Sequence, residues 1–481
     1  MSDPLGPLDR RRAGVLLHVT SLPPSGEPGD QGEPGDQGDH GDLGEQAHRF
    51  VDFLAAAGCS VWQVLPLVPA DEESGSPYQA LSAMAGHPGL IHRDPQTRRW
   101  LDDPSTLDAA QQAELASWCA EHADWLEPYV EFTALRGLHG GEPWTSWPAP
   151  LRDRDPQAVR EALVPLAAEV QRLRVEQWVF AVQWARLRAH AASRGVLVFG
   201  DLPIFVSFDS ADVWASRELF ELGADGRPTT VTGCPPDYFA ADGQRWNNPH
   251  YDWAAMAADG FAWWRRRISR QRELFDLVRI DHFRGFEAAW HVPVDAPTAR
   301  DGWWAPGPGP DILSALVAAA GPGTLVAEDL GVITPEVDEL RTRFDLPGMK
   351  VLQFAFDGSP DNPYLPQLHG ERSVVYTGTH DNDTTMGWWH SLDEPTRDAV
   401  RRLLLDPDEA MPWALIRLAL ASTARLAVVP AQDLLGLGSE SRMNTPGTDE
   451  GNWGWRAPAG AFDAPLAARV RALVAEADRL V

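Results

Sequence analysis

The sequence predicts an α/β protein built as a (β/α)8 TIM barrel, with inserted subdomains over the C-terminal face of the strands. Three observations lead there. Eight short apolar, β-branched runs recur along the 481 residues, and most end abruptly in polar or charged residues. Helix-like stretches separate them, and continuous apolar runs with helices between them signify parallel strands buried on both faces. Eight such units close naturally into a barrel whose catalytic groups sit at the C-terminal strand ends. A doubly wound open sheet is the structural alternative, because periodicity does not show closure.

In order, the runs are AGVLLHVTS (13–21), SVWQVLPL (60–67), VLVFGDLPI (196–204), LVRIDHF (277–283), TLVAEDLG (324–331), MKVLQFAFD (349–357), SVVYTGTHD (373–381) and LAVVPAQDL (426–434). Their ends present Asp201, Asp281, Glu328, Asp357 and Asp381. The gaps are unequal. The second gap contains the helical, Trp-bearing LAAEVQRLRVEQWVFAVQWARLRAHAASRG, which Gly195 would cap. Insertions are therefore expected at about 68–195 and 205–276, within one catalytic domain spanning 1–481. The acidic repeat GEPGDQGEPGDQGDHGDLG (26–44) has glycine at every third position. In so short a window it reads as a solvated loop rather than a collagen-like segment, and it is expected to be dispensable. Loss of activity on its deletion would refute that.

Composition limits the function classes. With 44% hydrophobic residues the chain can bury a site away from water, and its formal charge of -28 argues against nucleic acid or an anionic membrane as partner. The opening MSDPLGPLDRRR has no apolar region behind its charges, and no stretch of 18 apolar residues occurs, so a cytoplasmic protein is expected. Cys59, Cys119 and Cys234 form no C-x-x-C pair and read as buried free thiols. No pair of histidines shows metal-ligand spacing. Neither a phosphate-binding G-x-x-x-x-G-K-[ST] loop nor a strand-linked G-x-G-x-x-G occurs.

The stretch VRIDHFRGF (278–286) places charges inside a run that otherwise reads as a buried strand, and burying an unpaired charge costs several kcal/mol, of order 2 or more. Alternation points Arg279 and Asp281 the same way. A guanidinium beside a carboxylate lowers its pKa, which would keep Asp281 an ionised nucleophile. In VAEDLG, Glu328 ends another run with Asp329 pointing oppositely, and a partly desolvated, like-charged setting would raise the pKa of one group and suit it to proton donation. Asp381 ends the seventh run. Two carboxyl groups with environments pushed apart are what glycosidic bond cleavage needs, and a third can stabilise the developing positive charge.

The blocks TSLP, SPYQ, GDLPIF, VRIDHFRGFEAAW, VAEDLG, PGMKVLQFAF, YTGTHDNDTT, RMNTPGT and GNWGWR resemble the 4-α-glucanotransferases, or amylomaltases, of the α-amylase superfamily, from about Gly14 to Arg456. The resemblance implies a glycosyltransferase that moves an α-1,4-glucan segment between maltodextrins by retaining double displacement, with no required cofactor. It implies Asp281 as nucleophile, Glu328 as general acid/base and Asp381 as transition-state stabiliser. It further implies substrate binding by Arg279, His380, Asp201, Tyr78, Trp246, Asp237 and Asn444. Of His282 and His380, direct sugar contact is expected of His380 alone. A monomer is expected. This chain departs from the family at Asn247, commonly glycine, at His87, commonly asparagine, and in the shortened QLHGER after NPYLP, which bears on acceptor preference. Asparagine tolerates a left-handed backbone, so the first change is mild. The alternatives are an α-1,4-glucan hydrolase on the same fold and, in another class, a non-catalytic glycan-binding protein.

Overall fold

A computed structural model describes residues 6–24, 41–70, 75–236, 241–448 and 450–481. Their strands are β1 (Arg12–Leu16), β2 (Val61–Gln63), β3 (Leu197–Pro203), β4 (Thr230–Cys234), β5 (Gln244–Pro249), β6 (Leu277–Asp281), β7 (Ala288–Pro293), β8 (Trp303–Pro306), β9 (Leu325–Ala327), β10 (Gly348–Val351), β11 (Ser373–Tyr376) and β12 (Leu426–Pro430). Eight of them form one parallel sheet in the order β10-β11-β12-β1-β2-β3-β6-β9. Each lies wholly or mostly in one of the eight apolar runs. The order follows the chain around a ring, with β1 paired to β12, which excludes the doubly wound alternative. The remaining seam is bridged where the Ala327 N–H donates to the Pro347 carbonyl at 2.8 Å.

Alternation along each strand sorts its side chains. Leu16, Val61, Phe199, Leu277, Val326, Val351, Val374, Tyr376 and Val428 fill the barrel interior. Val15, Trp62, Val198, Val278, Ile280 and Val375 face the surrounding helices. Arg279 and Asp281 thus share the inward face with Leu277, and Asp201 shares it with Phe199. Close packing on the outer side explains Gly200: a Cβ there would lie 2.2 Å from the Phe275 ring at the end of the helix Ala262–Leu274.

The stretch between β2 and β3 is helical. Asp94, Asp108 and Asp155 cap its helices Pro95–Asp102, Ala109–Glu121 and Pro156–Leu163, with a reciprocal Asp108–Gln111 capping box. The Trp-bearing stretch forms the helix Ala167–Ser193, and Gly195 follows it at φ 70°. A second, antiparallel sheet runs β5-β4-β7-β8. Two of its strands fall within 205–276, and the other two come from beyond β6.

Residues 25–40 of the glycine-repeat segment lie outside the described residues. Its last residues are tied down: Leu43 is buried, Gly41 donates its N–H to the Thr20 carbonyl at 3.0 Å, and Gly44 caps the helix Glu45–Ala56. These contacts set residues 41–44 apart from the solvated loop expected over 26–44. Of the three thiols only Cys59 is buried, which pushes its pKa up to about 12; Cys119 and Cys234 are half-buried. Among the described residues no helix is long and apolar enough to cross a membrane.

Candidate active site

The polar strand ends meet at one mouth of the barrel. Arg279, on β6, lies between two carboxylates: Nη2 donates to Asp281 Oδ1 at 2.6 Å, and Nη1 donates to Asp201 Oδ2 across from β3. Tyr78, from the segment after β2, donates its hydroxyl to the same Asp201 oxygen at 2.6 Å and accepts from His380 Nε2 at 2.9 Å. Its ring stacks on that imidazole at 5.5 Å and 7°. His380 Nε2 lies 3.4 Å from Asp381 Oδ1, which also accepts from the Asn444 amide at 2.6 Å. One network therefore links Asp281, Arg279, Asp201, Tyr78, His380, Asp381 and Asn444. Exposure sorts its members. The side chains of Asp281 and Asp381 are 28% and 41% exposed, whereas that of Asp201 is wholly buried behind Arg279 and Tyr78.

Glu328, just after β9, joins from the other side. Its Oε2 accepts the His282 N–H at 2.7 Å and its Oε1 the Leu330 N–H at 2.7 Å. The first bond arises because His282, the residue after Asp281, adopts a left-handed backbone at φ 52°. For a residue with a Cβ that conformation costs roughly 1–2 kcal/mol, and here it accompanies the bond that ties the Glu328 carboxyl to the residue next to Asp281. Trp246, on β5, sets its ring edge-on against the His282 ring at 4.7 Å, and the Gln79 amide donates to the Trp246 carbonyl at 3.3 Å.

The electrostatics correct one sequence expectation and bear out another. Burial pushes the Asp281 carboxyl well above the usual range; Arg279 opposes this, while Asp201, Glu328 and Asp381 reinforce it. The guanidinium is where alternation puts it, but the net direction is upward. Glu328 is also raised, by burial first, against Arg279 and its two backbone donors; Asp329 contributes less. That neighbour turns away, accepting the Met349 N–H at 2.6 Å and pairing with Arg341 at 3.2 Å. Burial drives His282 down to about 3 and lowers His380, so both imidazoles are neutral near pH 7.

Asp357 does not join the cluster; it is exposed and caps a turn through the Ser359 N–H at 2.9 Å. Asp237 lies outside the described residues. Asn247 sits at φ 62°, the conformation that makes glycine or asparagine the fitting residue. His87 Nδ1 accepts the Gly89 N–H at 3.0 Å, a cap that an asparagine side chain could also serve. Sequence reasoning missed Arg442, which donates to the Asp381 carbonyl at 2.5 Å, and Trp453, whose ring lies 5.7 Å from Tyr78 and 6.0 Å from His380. Both lie in blocks, RMNTPGT and GNWGWR, whose other residues drew the attention. Among the described residues no group of three or more His, Cys, Asp or Glu is gathered to hold a metal.

A family model described as 4-alpha-glucanotransferase matches residues 34–106 and 96–461. The chain is 46% identical to the 4-alpha-glucanotransferase of Thermus thermophilus, over 98% of this chain and 99% of that protein. It is 42% identical to a chloroplastic/amyloplastic 4-alpha-glucanotransferase of Arabidopsis thaliana, over 94% of this chain and 82% of that protein. The structure is similar to an amylomaltase from Streptococcus agalactiae in complex with acarbose, with TM-score 0.90 and 30% identity, covering 98% of this chain and 100% of that one.

Proposed function

The chain belongs to the 4-alpha-glucanotransferase family, and from that membership and the acid cluster we propose that it moves an α-1,4-glucan segment from a donor maltodextrin to an acceptor glucose or maltodextrin. The observation that carries this reading is the separation of environments. Burial raises both carboxyls, but Asp281 receives a guanidinium whereas Glu328 is held by two backbone N–H groups.

Asp281 Oδ attacks the anomeric carbon while Glu328 gives its proton to the departing glycosidic oxygen, which leaves a covalent glycosyl-Asp281 and a shortened glucan. Glu328, now ionised, takes the proton from an acceptor hydroxyl as that oxygen displaces Asp281, and the α configuration is retained. Asp381 stabilises the oxocarbenium-like carbon and grips sugar hydroxyls in both steps. Arg279 keeps the Asp281 oxygens oriented for attack, and the buried Asp201 serves the donor site through Arg279 and Tyr78. Tyr78, His380, Trp246 and Asn444 line the path of the glucan, with Asp237 added from the PPDYF block. Transfer rather than hydrolysis needs the acceptor's binding energy to deliver its hydroxyl before water arrives. The chain is proposed to act as a cytoplasmic monomer, which light scattering and fractionation test.

Incubation with maltotriose and no added cofactor, with products resolved over time, tests the reading. Glucose with maltopentaose and longer chains supports transfer. Glucose and maltose alone would replace it with hydrolysis, and no reaction with any maltodextrin would favour a binding protein.

A further inference from the structure

We propose that Asp433 is a positioning residue for the transfer reaction, clamping both ends of the loop that carries His380 and Asp381. It lies in the single helical turn Ala431–Leu434 after β12, and its side chain is buried. Oδ2 accepts from the hydroxyls of Thr377 at 2.6 Å and Thr385 at 2.7 Å; Oδ1 accepts the Thr385 N–H at 2.7 Å. Thr377 follows directly on β11, and Thr385 opens the helix Thr385–Ser391. Both threonines are buried. One carboxylate thus gathers the two points where the 378–384 loop leaves and rejoins regular structure.

The loop is braced elsewhere as well. Asn382 Oδ1 accepts from the Thr379 N–H and hydroxyl, both at 2.9 Å, and the Asp381 N–H reaches Thr379 Oγ1 at 3.2 Å. Gln353 donates to the Asp383 carbonyl at 2.8 Å, and Ser439 to Asp383 Oδ2 at 2.7 Å. No cation is paired with Asp433 among the described residues; burial raises its carboxyl, and the three donors from Thr377 and Thr385 oppose that. An unpaired buried carboxylate is expensive, and an apolar core would fill the same space at lower cost. What a carboxylate adds is the ability to accept several bonds at fixed geometry from segments apart in sequence. Asp433 touches neither the acids nor the cleft. Its effect reaches the reaction through Asp381, where a displacement near 1 Å costs up to about 100-fold in rate.

The inference rests on the reading of Asp381 as stabiliser. The test measures kcat and KM for maltotriose disproportionation in Asp433→Ala, Asp433→Asn, Thr377→Val and Thr385→Val, with folding checked by circular dichroism. Asp433→Ala is expected to lower kcat by roughly 10- to 100-fold with KM within about twofold, because the glucan contacts of Tyr78 and Trp246 remain. Asp433→Asn recovers most of the loss, since its oxygen keeps the Thr385 N–H and its amide can donate to the two hydroxyls. In an Asp381→Asn background, assayed with a glycosyl fluoride donor, Asp433→Ala adds less than about twofold if it acts through Asp381. A folded Asp433→Ala with unchanged kcat, or an undiminished effect in that background, overturns the proposal. If Asp433→Ala does not fold, unchanged kcat in both valine variants overturns it. Full turnover by Asp381→Asn alone overturns the reading of Asp381 instead.

Discussion

Replacing Asn444 by alanine removes one hydrogen bond from Asp381 and little else. The backbone bonds that fix this segment survive: the Asn444 N–H to the His380 carbonyl at 3.1 Å, and Arg442 to the Asn444 carbonyl at 2.7 Å. The lost bond, at 2.6 Å to a carboxylate, is charge-assisted and worth about 1.5–3 kcal/mol. Asp381 is 41% exposed, so water replaces part of it and the lower end applies, about 1.5–2 kcal/mol. At about 1.4 kcal/mol per tenfold, that is roughly a 10- to 30-fold loss in kcat/KM. The loss should fall mainly in kcat, because Asp381 grips hardest when the sugar is oxocarbenium-like. The assay is the initial rate of glucose release from maltotriose. A kcat/KM within twofold of the parent, or a loss confined to KM, would refute the reasoning.

Asp281→Asn should lose roughly 1,000-fold or more in turnover with its fold intact by circular dichroism. The same variant should melt about a degree or more higher at pH 7, in a calorimetric scan: a carboxyl raised in the folded state destabilises it when ionised, and the amide carries no charge. The pH profile of kcat/KM should be a bell whose acid limb, from Asp281, and alkaline limb, from Glu328, both lie above ordinary carboxylate values, as apparent constants of the pair. In Glu328→Gln with a glycosyl fluoride donor the alkaline limb should vanish and the acid limb remain; a surviving alkaline limb would assign it elsewhere. Asn247→Gly should leave the melting temperature nearly unchanged, whereas Asn247→Val should cost about 1–2 kcal/mol at its left-handed backbone, read by denaturant titration.

The barrel was legible because a strand buried on both faces must be apolar throughout, and eight such runs stand out against helical stretches between them. The pairing of Arg279 with Asp281 was legible from alternation alone. The raised pKa of Asp281 was not, since it depends on burial and on three carboxylates brought by other strands and loops. The antiparallel sheet escaped because Gln244–Pro249 shows neither an apolar run nor a clean alternation, and Trp303–Pro306 is only four residues long. The left-handed turn at His282 has no sequence signal, as histidine neither requires nor forbids it. Asp433 ends the eighth run much as Asp381 ends the seventh, yet its partners are hydroxyls 48 and 56 residues away. Asp357 shows the converse: it ends a run and only caps a surface turn.

The pairing of β1 with β12 has a consequence for how the molecule is made. Arg12 lies opposite Leu426, more than four hundred residues later, so the ring cannot close until β12 has left the ribosome. Through synthesis β1 presents an unsatisfied strand edge beside the growing sheet, and such edges recruit other chains. The heavy negative charge of the polypeptide then acts as a kinetic safeguard, holding nascent copies apart while the last strand is awaited.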